Sequence, residues 1–357
     1  MFKLLKNLFC LNFCCLLFSG AYSLTFDLPE DGSTLIGAQQ EVKAVSGDTL
    51  SSLGRRYSLG IFELVEANPG LDLNKTYDSN QSIVLPTEFL LPNAPHRGIV
   101  INLAELRLYF YVPNTKEVRT FPVGIGRQGW DTPLGETYIA GKTVNPTWIA
   151  TDNIKAERLK DGVVVPDKVG PGPDNPLGPY KFRLGLPLIL LHGSNDPAGI
   201  GRRSSSGCIR MQPEDIESIF NLVDVNLPVI IVDEPVKIGW HDNKLYLESH
   251  VPLEDDPEDD VDVLLDKTHS LINATIKKRP AQVDWSKVDE VVREHLGYPI
   301  QIGEGVGAAP IIIVPLNPSA PKSHKQNAVQ TRKTTHKHKH LSNKKTVLRF
   351  WHHHLEK

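Results

Sequence analysis

Between Leu106 and Val112 apolar residues occupy every second position. Leu106, Leu108, Phe110 and Val112 alternate with Arg107, Tyr109 and Tyr111. A period of two belongs to an extended strand whose neighbouring side chains point to opposite faces, so a half-buried β-strand is predicted here. Pro113-Asn114 supplies a turn, and Val118 to Val123 returns as the hairpin partner. Ile99 to Leu103 is a strand before it. Thr137 to Ile139, the unbroken apolar run Leu188 to Leu191, and Pro228 to Val232 follow later. Residues 97–233 therefore read as a mainly β domain. After Met211 the pattern changes: Pro213 suits a first helical turn, Glu214 and Asp215 suit its positive end, and Ile216, Ile219, Phe220 and Val223 form one apolar face.

Two stretches interrupt the strands. Gly124-Ile125-Gly126-Arg127-Gln128-Gly129 spells a dinucleotide-binding string, but that motif must open a helix. Trp130-Asp131-Thr132-Pro133-Leu134-Gly135 follows instead, which is turn chemistry, so a loop between strands is expected. Residues 151–180 make a long excursion with one helix at Asn153 to Leu159 and a Pro/Gly-rich run from Pro171 to Pro179. Excursions of this length in a compact domain commonly form a lid or substrate wall.

The chain of 357 residues has room for two ordinary domains and appendages, and 40% hydrophobic content supports packed cores. Its start reads as a secretory leader over residues 1–23. Lys3 and Lys6 precede the apolar stretch Leu8 to Phe18, and Ala21-Tyr22-Ser23 places small residues where a signal peptidase reads. A membrane anchor would need about 20 apolar residues. Cleavage removes Cys10, Cys14 and Cys15 and leaves Cys208 as the one thiol of the mature chain. A single cysteine in an oxidising compartment makes no internal disulfide and is flagged as reactive; a buried structural cysteine is the plainer alternative.

Residues 24–40 show no periodicity and are expected as an extended lead-in. A small unit follows over residues 41–87: a strand at Val42 to Val45, a turn at Gly47-Asp48-Thr49, a helix with Leu50, Leu53 and Tyr57 on one face, a second helix with Ile61, Leu64 and Val65, and a strand at Ser82 to Leu85. Leu91 to Pro95 is a proline-stiffened linker. Residues 234–316 form a C-terminal α/β extension, with a helix marked by Trp285, Val288, Val292 and Leu296 and an apolar edge segment at Pro310 to Pro315. The net charge of −3 averages an acidic run, Glu254 to Asp262, with a basic one, Lys322 to Lys345. The acidic run lacks the glycine of a calcium loop and reads as a solvated linker. Residues 317–357 read as a basic, His-rich disordered tail.

His192 ends the run Leu188 to Leu191 and is the one histidine between His96 and His241. Sixteen positions on, Gly207-Cys208-Ile209-Arg210 closes a Gly/Ser-rich segment. Thiol catalysis needs a thiolate, a base and donors for an oxyanion. Cys208 and His192 can supply the first two, and the backbone near Gly207 and Cys208 the third. Arg202, Arg203 and Arg210 add positive charge that favours thiolate and can pair with a substrate carboxylate. A structural histidine and solvated arginines remain the plain alternatives. A zinc site needs three or four ligands, and the sequence offers no third nearby.

The N-terminal pieces, Ser46 to Leu50, Arg55-Arg56-Tyr57, Ala67-Asn68-Pro69-Gly70 and Ile83 to Pro86, resemble a LysM module. That resemblance implies a βααβ fold that binds N-acetylglucosamine-containing glycan strands. Residues 97–233 resemble the L,D-transpeptidase catalytic domain, the YkuD domain. The pieces that carry it are Ile99 to Leu103, Arg107-Leu108-Tyr109, Thr132 to Gly135, Asn145 to Trp148, Gly172 to Gly178, His192-Gly193-Ser194-Asn195 and Ser205 to Met211. One position departs: Ser206 stands where many members carry histidine. The ensemble is similar to the periplasmic ErfK/YbiS branch. The resemblance implies a β-sandwich-like fold and a cysteine enzyme acylated by carbapenems, acting without metal or cofactor. Peptidoglycan stem peptides are the implied donors, with another stem or an outer-membrane lipoprotein as acceptor. It assigns Cys208, His192, Gly193 and Gly207 to catalysis, with the Gly193 carbonyl orienting the imidazole, and places Arg210, Ser206, Ser205 and Asn195 against substrate. A carboxypeptidase or lipoprotein-detaching amidase would use the same thioester with water. No nucleic-acid partner is implied, nor a transmembrane anchor after leader removal.

Overall fold

The computed structural model describes residues 23–253 and 260–306. The leader up to residue 22, the segment Pro310 to Pro315 and the basic tail lie outside those residues, as does most of the acidic run. Asp260, at its end, caps a helix by accepting from the Asp262 N–H, so this part of the run is structural.

The N-terminal unit comprises β1 (Leu24–Asp27), β2 (Leu35–Gly37), β3 (Gln40–Lys43), α1 (Leu50–Tyr57), α2 (Ile61–Ala67), β4 (Ser82–Leu85) and β5 (Glu88–Leu90). The strand–helix–helix–strand order read from the sequence is present, with β3 and β4 paired antiparallel. Thr49 caps α1, accepting from the Ser52 N–H at 3.0 Å. Asn68 pins the end of α2 to β4: its amide donates to the carbonyls of Leu64 and Val84, and its oxygen accepts from the Val84 N–H. The lead-in is not free: β1 pairs antiparallel along the edge of the main sheet.

The central domain contains β6 (Gly98–Asn102), β7 (Arg107–Tyr111), β8 (Glu117–Pro122), β9 (Ile125–Gly126), β10 (Gly135–Val144), β11 (Trp148–Ile149), α3 (Asp152–Lys160), β12 (Lys168–Val169), β13 (Tyr180–Leu184), β14 (Leu190–His192), β15 (Arg203–Ser205), β16 (Ile209–Arg210), α4 (Pro213–Phe220) and β17 (Pro228–Val232). Nine strands run in the order β1-β8-β7-β6-β17-β10-β13-β14-β16. The mainly β expectation holds. β10 serves two sheet segments. Its first half pairs with β17, and beyond a register shift between Ile139 and Gly141 its second half pairs with β13. A bulge of this kind lets one strand turn a corner between layers. Both segments contribute to one core: Ile99, Phe110 and Val229 from the first, Phe182, Leu191 and Ile209 from the second, closed by Ile216 and Ile219 of α4.

The alternation in β7 predicts one solvated face, and the structure corrects this: every residue from Arg107 to Tyr111 is buried. Leu108 and Phe110 enter the main core, while Tyr109 and Tyr111 pack into a second core with Leu50, Leu53, Phe62 and Ile83 of the N-terminal unit. Arg107, fully buried, donates to both carboxylate oxygens of Glu63 from α2, at 2.7 and 2.6 Å.

The C-terminal part contains β18 (Val236–His241), β19 (Lys244–Ser249), α5 (Val261–Lys278), β20 (Ala281–Val283), α6 (Trp285–Glu294) and β21 (Ile300–Gly305), with sheet order β18-β19-β21-β20. It meets the other two parts through buried ions. Lys237 Nζ lies 2.9 Å from Glu105 and 2.7 Å from Glu248. His250 Nε2 lies 2.8 Å from Glu248, and its Nδ1 lies 3.6 Å from Glu66 of α2. Among the described residues no helix is long and apolar enough to cross a membrane.

Candidate active site

β14 and β16 run side by side in parallel, with Leu191 opposite Ile209 and His192 opposite Arg210. That register puts Cys208, the residue before β16, opposite Leu190. Alternate residues of a strand share a face, so His192, Arg210 and Cys208 project to one side, while Leu191 and Ile209 enter the core. Diagonal neighbours two residues apart on adjacent strands lie about 7–8 Å apart, within reach of an imidazole. Both side chains line one cleft of about 1560 Å³. Arg127, Trp130, Ile154 and Arg158 also line it, as does Asn74 of the N-terminal unit.

His192 is buried, and its Nδ1 lies 2.5 Å from the Gly193 carbonyl oxygen. A carbonyl only accepts, so Nδ1 carries the proton and Nε2 is left as a base. Burial, then the positive charge of Arg210, brings the imidazole pKa down to about 3, so the ring is neutral at neutral pH. Burial also pushes the Cys208 thiol up; the Leu190 N–H and Arg210 pull it down without prevailing. The charge of Arg210 thus favours thiolate, as the sequence suggests, but burial outweighs it. The resting pair is a neutral thiol and a neutral imidazole.

The segment before Cys208 is held from several sides. Gly207 adopts φ +97°, a left-handed conformation open to glycine. Ser205 Oγ accepts the Gly207 N–H at 3.1 Å and donates to the Cys208 carbonyl at 2.5 Å. The Gly207 N–H is thus committed to the turn, which leaves the Cys208 N–H as the backbone donor for an oxyanion; among the described residues it meets no acceptor. Thr132 ties the loop from the far side, donating to the Gly207 carbonyl and accepting the Gly126 N–H, both at 3.0 Å.

Of the residues expected against substrate, Arg210, Ser206 and Ser205 line the cleft. Ser206 Oγ accepts from Arg127 at 3.1 Å. Ser205, 1% exposed, is spent on the turn. Asn195 is exposed and donates to the Asp174 carbonyl, tying the excursion to the histidine loop. Arg203 is buried and paired with Asp131 at 2.9 Å, so its charge is structural. Three further residues that sequence pattern alone does not mark hold the surroundings of the site. Arg127 pairs with Glu157 of α3 and lies 5.2 Å over the Trp130 ring. Thr132 acts as above. Asn175, fully buried, donates to the carbonyls of Pro146 and Gly170 and pins the excursion. Their signal was the turn-rich runs Thr132 to Gly135 and Pro173 to Leu177. The excursion also contains the strand pair β11–β12, and none of the residues in α3 is buried.

Among the described residues one buried group has metal-ligand chemistry, Glu105, Glu248 and His250. Lys237 Nζ already bridges its two carboxylates, so the donor set is arranged around an ammonium.

With this geometry in view, the similarities are informative. Residues 96–231 match the model of the YkuD L,D-transpeptidase catalytic domain. The chain is 37% identical to the probable L,D-transpeptidase YcfS of Escherichia coli over 78% of this chain and 88% of that protein. It is 37% identical to the probable L,D-transpeptidase ErfK/SrfK of Salmonella typhimurium, over 79% and 92%. The probable L,D-transpeptidase YbiS of Escherichia coli is 37% identical over 84% and 98%. Similarity of this extent, reaching well beyond the catalytic region, places the chain in the L,D-transpeptidase family.

Proposed function

We propose that the chain is a peptidoglycan L,D-transpeptidase with Cys208 as nucleophile and His192 as its base. The observation that carries this reading is the His192–Gly193 hydrogen bond, which frees Nε2 on the face shared with Cys208. In the first half-reaction Nε2 takes the thiol proton as sulfur attacks the carbonyl of the third residue of a tetrapeptide stem. A neutral pair suits this: proton transfer and attack proceed together, without an ion pair to desolvate. The Cys208 N–H stabilises the oxyanion. The imidazolium then protonates the departing D-alanine, leaving a thioester. In the second half, an amine gives its proton to His192 and displaces sulfur, forming an amide and restoring the thiol. The acceptor is another stem, giving a 3–3 cross-link, or a lipoprotein lysine. Arg210 pairs with a substrate carboxylate; Ser206 sets the reach of Arg127.

Residues 41–87 are proposed as a LysM glycan-binding module, supported by the βααβ order and the Asn68 clasp. Residues 97–233 are the proposed catalytic domain and 234–316 an extension. A cleaved leader at 1–23 would deliver the enzyme to the periplasm.

Incubation with tetrapeptide muropeptides and an amine acceptor tests the reading: free D-alanine and a new amide are expected. Release of D-alanine without a new amide would make the protein a carboxypeptidase. A carbapenem should add its mass to Cys208, and an unmodified Cys208 would sink the nucleophile assignment.

A further inference from the structure

Arg202 lines the cleft, yet unlike its neighbours it has no carboxylate paired with its charge among the described residues. Arg203 is paired with Asp131 and Arg127 with Glu157, whereas among the described residues no carboxylate forms an ion pair with Arg202. Its guanidinium lies 5.4 Å over the ring of Phe62, a buried residue of α2 in the N-terminal unit. The backbone beneath it is equally close to that unit. Gly201 adopts φ +72°, and a Cβ there would fall 2.7 Å from Gly60 Cα and from the Ile61 nitrogen. The Gly201 N–H donates to the Val123 carbonyl and the Arg202 carbonyl accepts from the Ile125 N–H. The segment leading to Cys208 is thus pressed between the sheet and α2. Burial disfavours the cation, and Arg202 is correspondingly shifted down. Asp196 at the cleft is the one carboxylate whose charge acts the other way.

We propose that Arg202 is a substrate-binding residue for a carboxylate of the peptide donor, held at the cleft wall by Phe62, so that the N-terminal unit forms part of the donor site. A guanidinium stacked on an aromatic ring loses little freedom and keeps its edge donors for an anion. An arriving carboxylate would supply the counter-charge that the protein itself withholds. This rests on the reading of Cys208 as the cleft nucleophile.

The test compares alkylation of Cys208 by iodoacetate and by iodoacetamide, reagents that differ by one negative charge. The ratio of the two rates, read by intact mass with Cys208→Ala as blank, cancels differences in thiol reactivity and in folded fraction. Arg202→Leu should lower the iodoacetate preference about threefold, the effect of one charge acting across several ångströms of wet cleft. Phe62→Leu changes no charge and should lower the same ratio in the same direction. Arg55→Leu removes a charge from the same unit at its ion pair with Glu214 and should leave the ratio unchanged. With a tetrapeptide donor, Arg202→Leu should raise KM more than it lowers kcat, and amidating the donor carboxylate should erase the difference between variant and parent. An unchanged ratio in Arg202→Leu would overturn the binding role. A lowered ratio there with an unchanged one in Phe62→Leu would overturn the part assigned to the N-terminal unit. Failure of both reagents at Cys208 in the parent would instead overturn the nucleophile reading beneath it.

Discussion

Glu63→Ala offers the sharpest test of the seam between the N-terminal unit and the sheet. Arg107 is fully buried, and Glu63 engages it at two points, 2.7 and 2.6 Å. The same carboxylate accepts the Gly60 N–H at 2.6 Å, at the start of α2. After truncation the guanidinium keeps the Thr120 hydroxyl at 3.1 Å, the Ser58 carbonyl at 3.2 Å and the Phe89 ring at 4.4 Å, but no carboxylate in contact. Removing one partner of a buried ion pair strands the other charge and costs about 3–5 kcal/mol; the lost helix-start acceptor adds about 1 kcal/mol. The sum is a large fraction of the stability of an ordinary domain. Urea unfolding followed by far-ultraviolet circular dichroism should show the midpoint falling accordingly. The double variant Glu63→Leu/Arg107→Met, which replaces both charges with apolar groups, should recover most of the loss. A Glu63→Ala cost below about 1 kcal/mol would refute the reasoning, because it would mean that water reaches the Arg107 head.

Three further outcomes are expected. His192→Ala should lower acylation of Cys208 by a carbapenem about 10²–10⁴-fold, the range of a lost general base, while leaving the fold intact by circular dichroism; a loss under tenfold would remove His192 from the base role. Alkylation of Cys208 by iodoacetamide should rise with pH through a midpoint above about 8.5, the value of a free thiol, since burial raises its pKa; a midpoint near 6 would show a resting ion pair instead. Burial pushes the His250 pKa down, but Glu248 and Glu66 together outweigh it and raise the group to about 10. It therefore contributes stability that is fully present below its unfolded pKa of about 6.5 and is lost as pH rises to about 10. The urea midpoint of the parent should fall across that window more steeply than that of His250→Gln, and parallel slopes would contradict the assignment.

Much of the central domain was legible because local pattern and burial agree there. Pro213 to Phe220 reads as an amphipathic helix and is one; the apolar run Leu188 to Leu191 is strand only from Leu190, because Leu188 sits exposed in a turn at φ +65°. The His192–Cys208 pair was legible by chemistry, since one thiol and one imidazole remained. What eluded the sequence depends on neighbours distant along the chain. The alternation of Arg107, Tyr109 and Tyr111 means a polar face only if water covers it, and here the N-terminal unit covers it. Ser205 and Gly207 belong to one tight turn, so their polar groups serve each other before any substrate. The charge of Arg203 reads the same whether solvated or paired; only the fold shows Asp131 beside it. The resting thiol likewise depends on burial outweighing Arg210, a balance that no spacing encodes.

The position of β17 bears on how the chain is made. It lies between β6 and β10, and it is the last strand of its sheet to leave the ribosome. The hairpin strands β6 to β8 can pair early, and β13, β14 and β16 can gather behind β10; the Gly124–Arg210 bridge and the β9–β15 pair link the two groups at one end, but β6 and β10 have no common neighbour in the sheet until Pro228 to Val232 arrives. The closing step therefore pairs Ile99 with Val229, residues 130 positions apart in parallel register, the kind of contact that slows folding most. Until then Cys208 belongs to an incomplete layer whose apolar faces are uncovered. A nascent chain stopped before residue 228 should accordingly be aggregation-prone and unreactive toward donor, and the thiol should gain its orientation in the same event that closes the sheet.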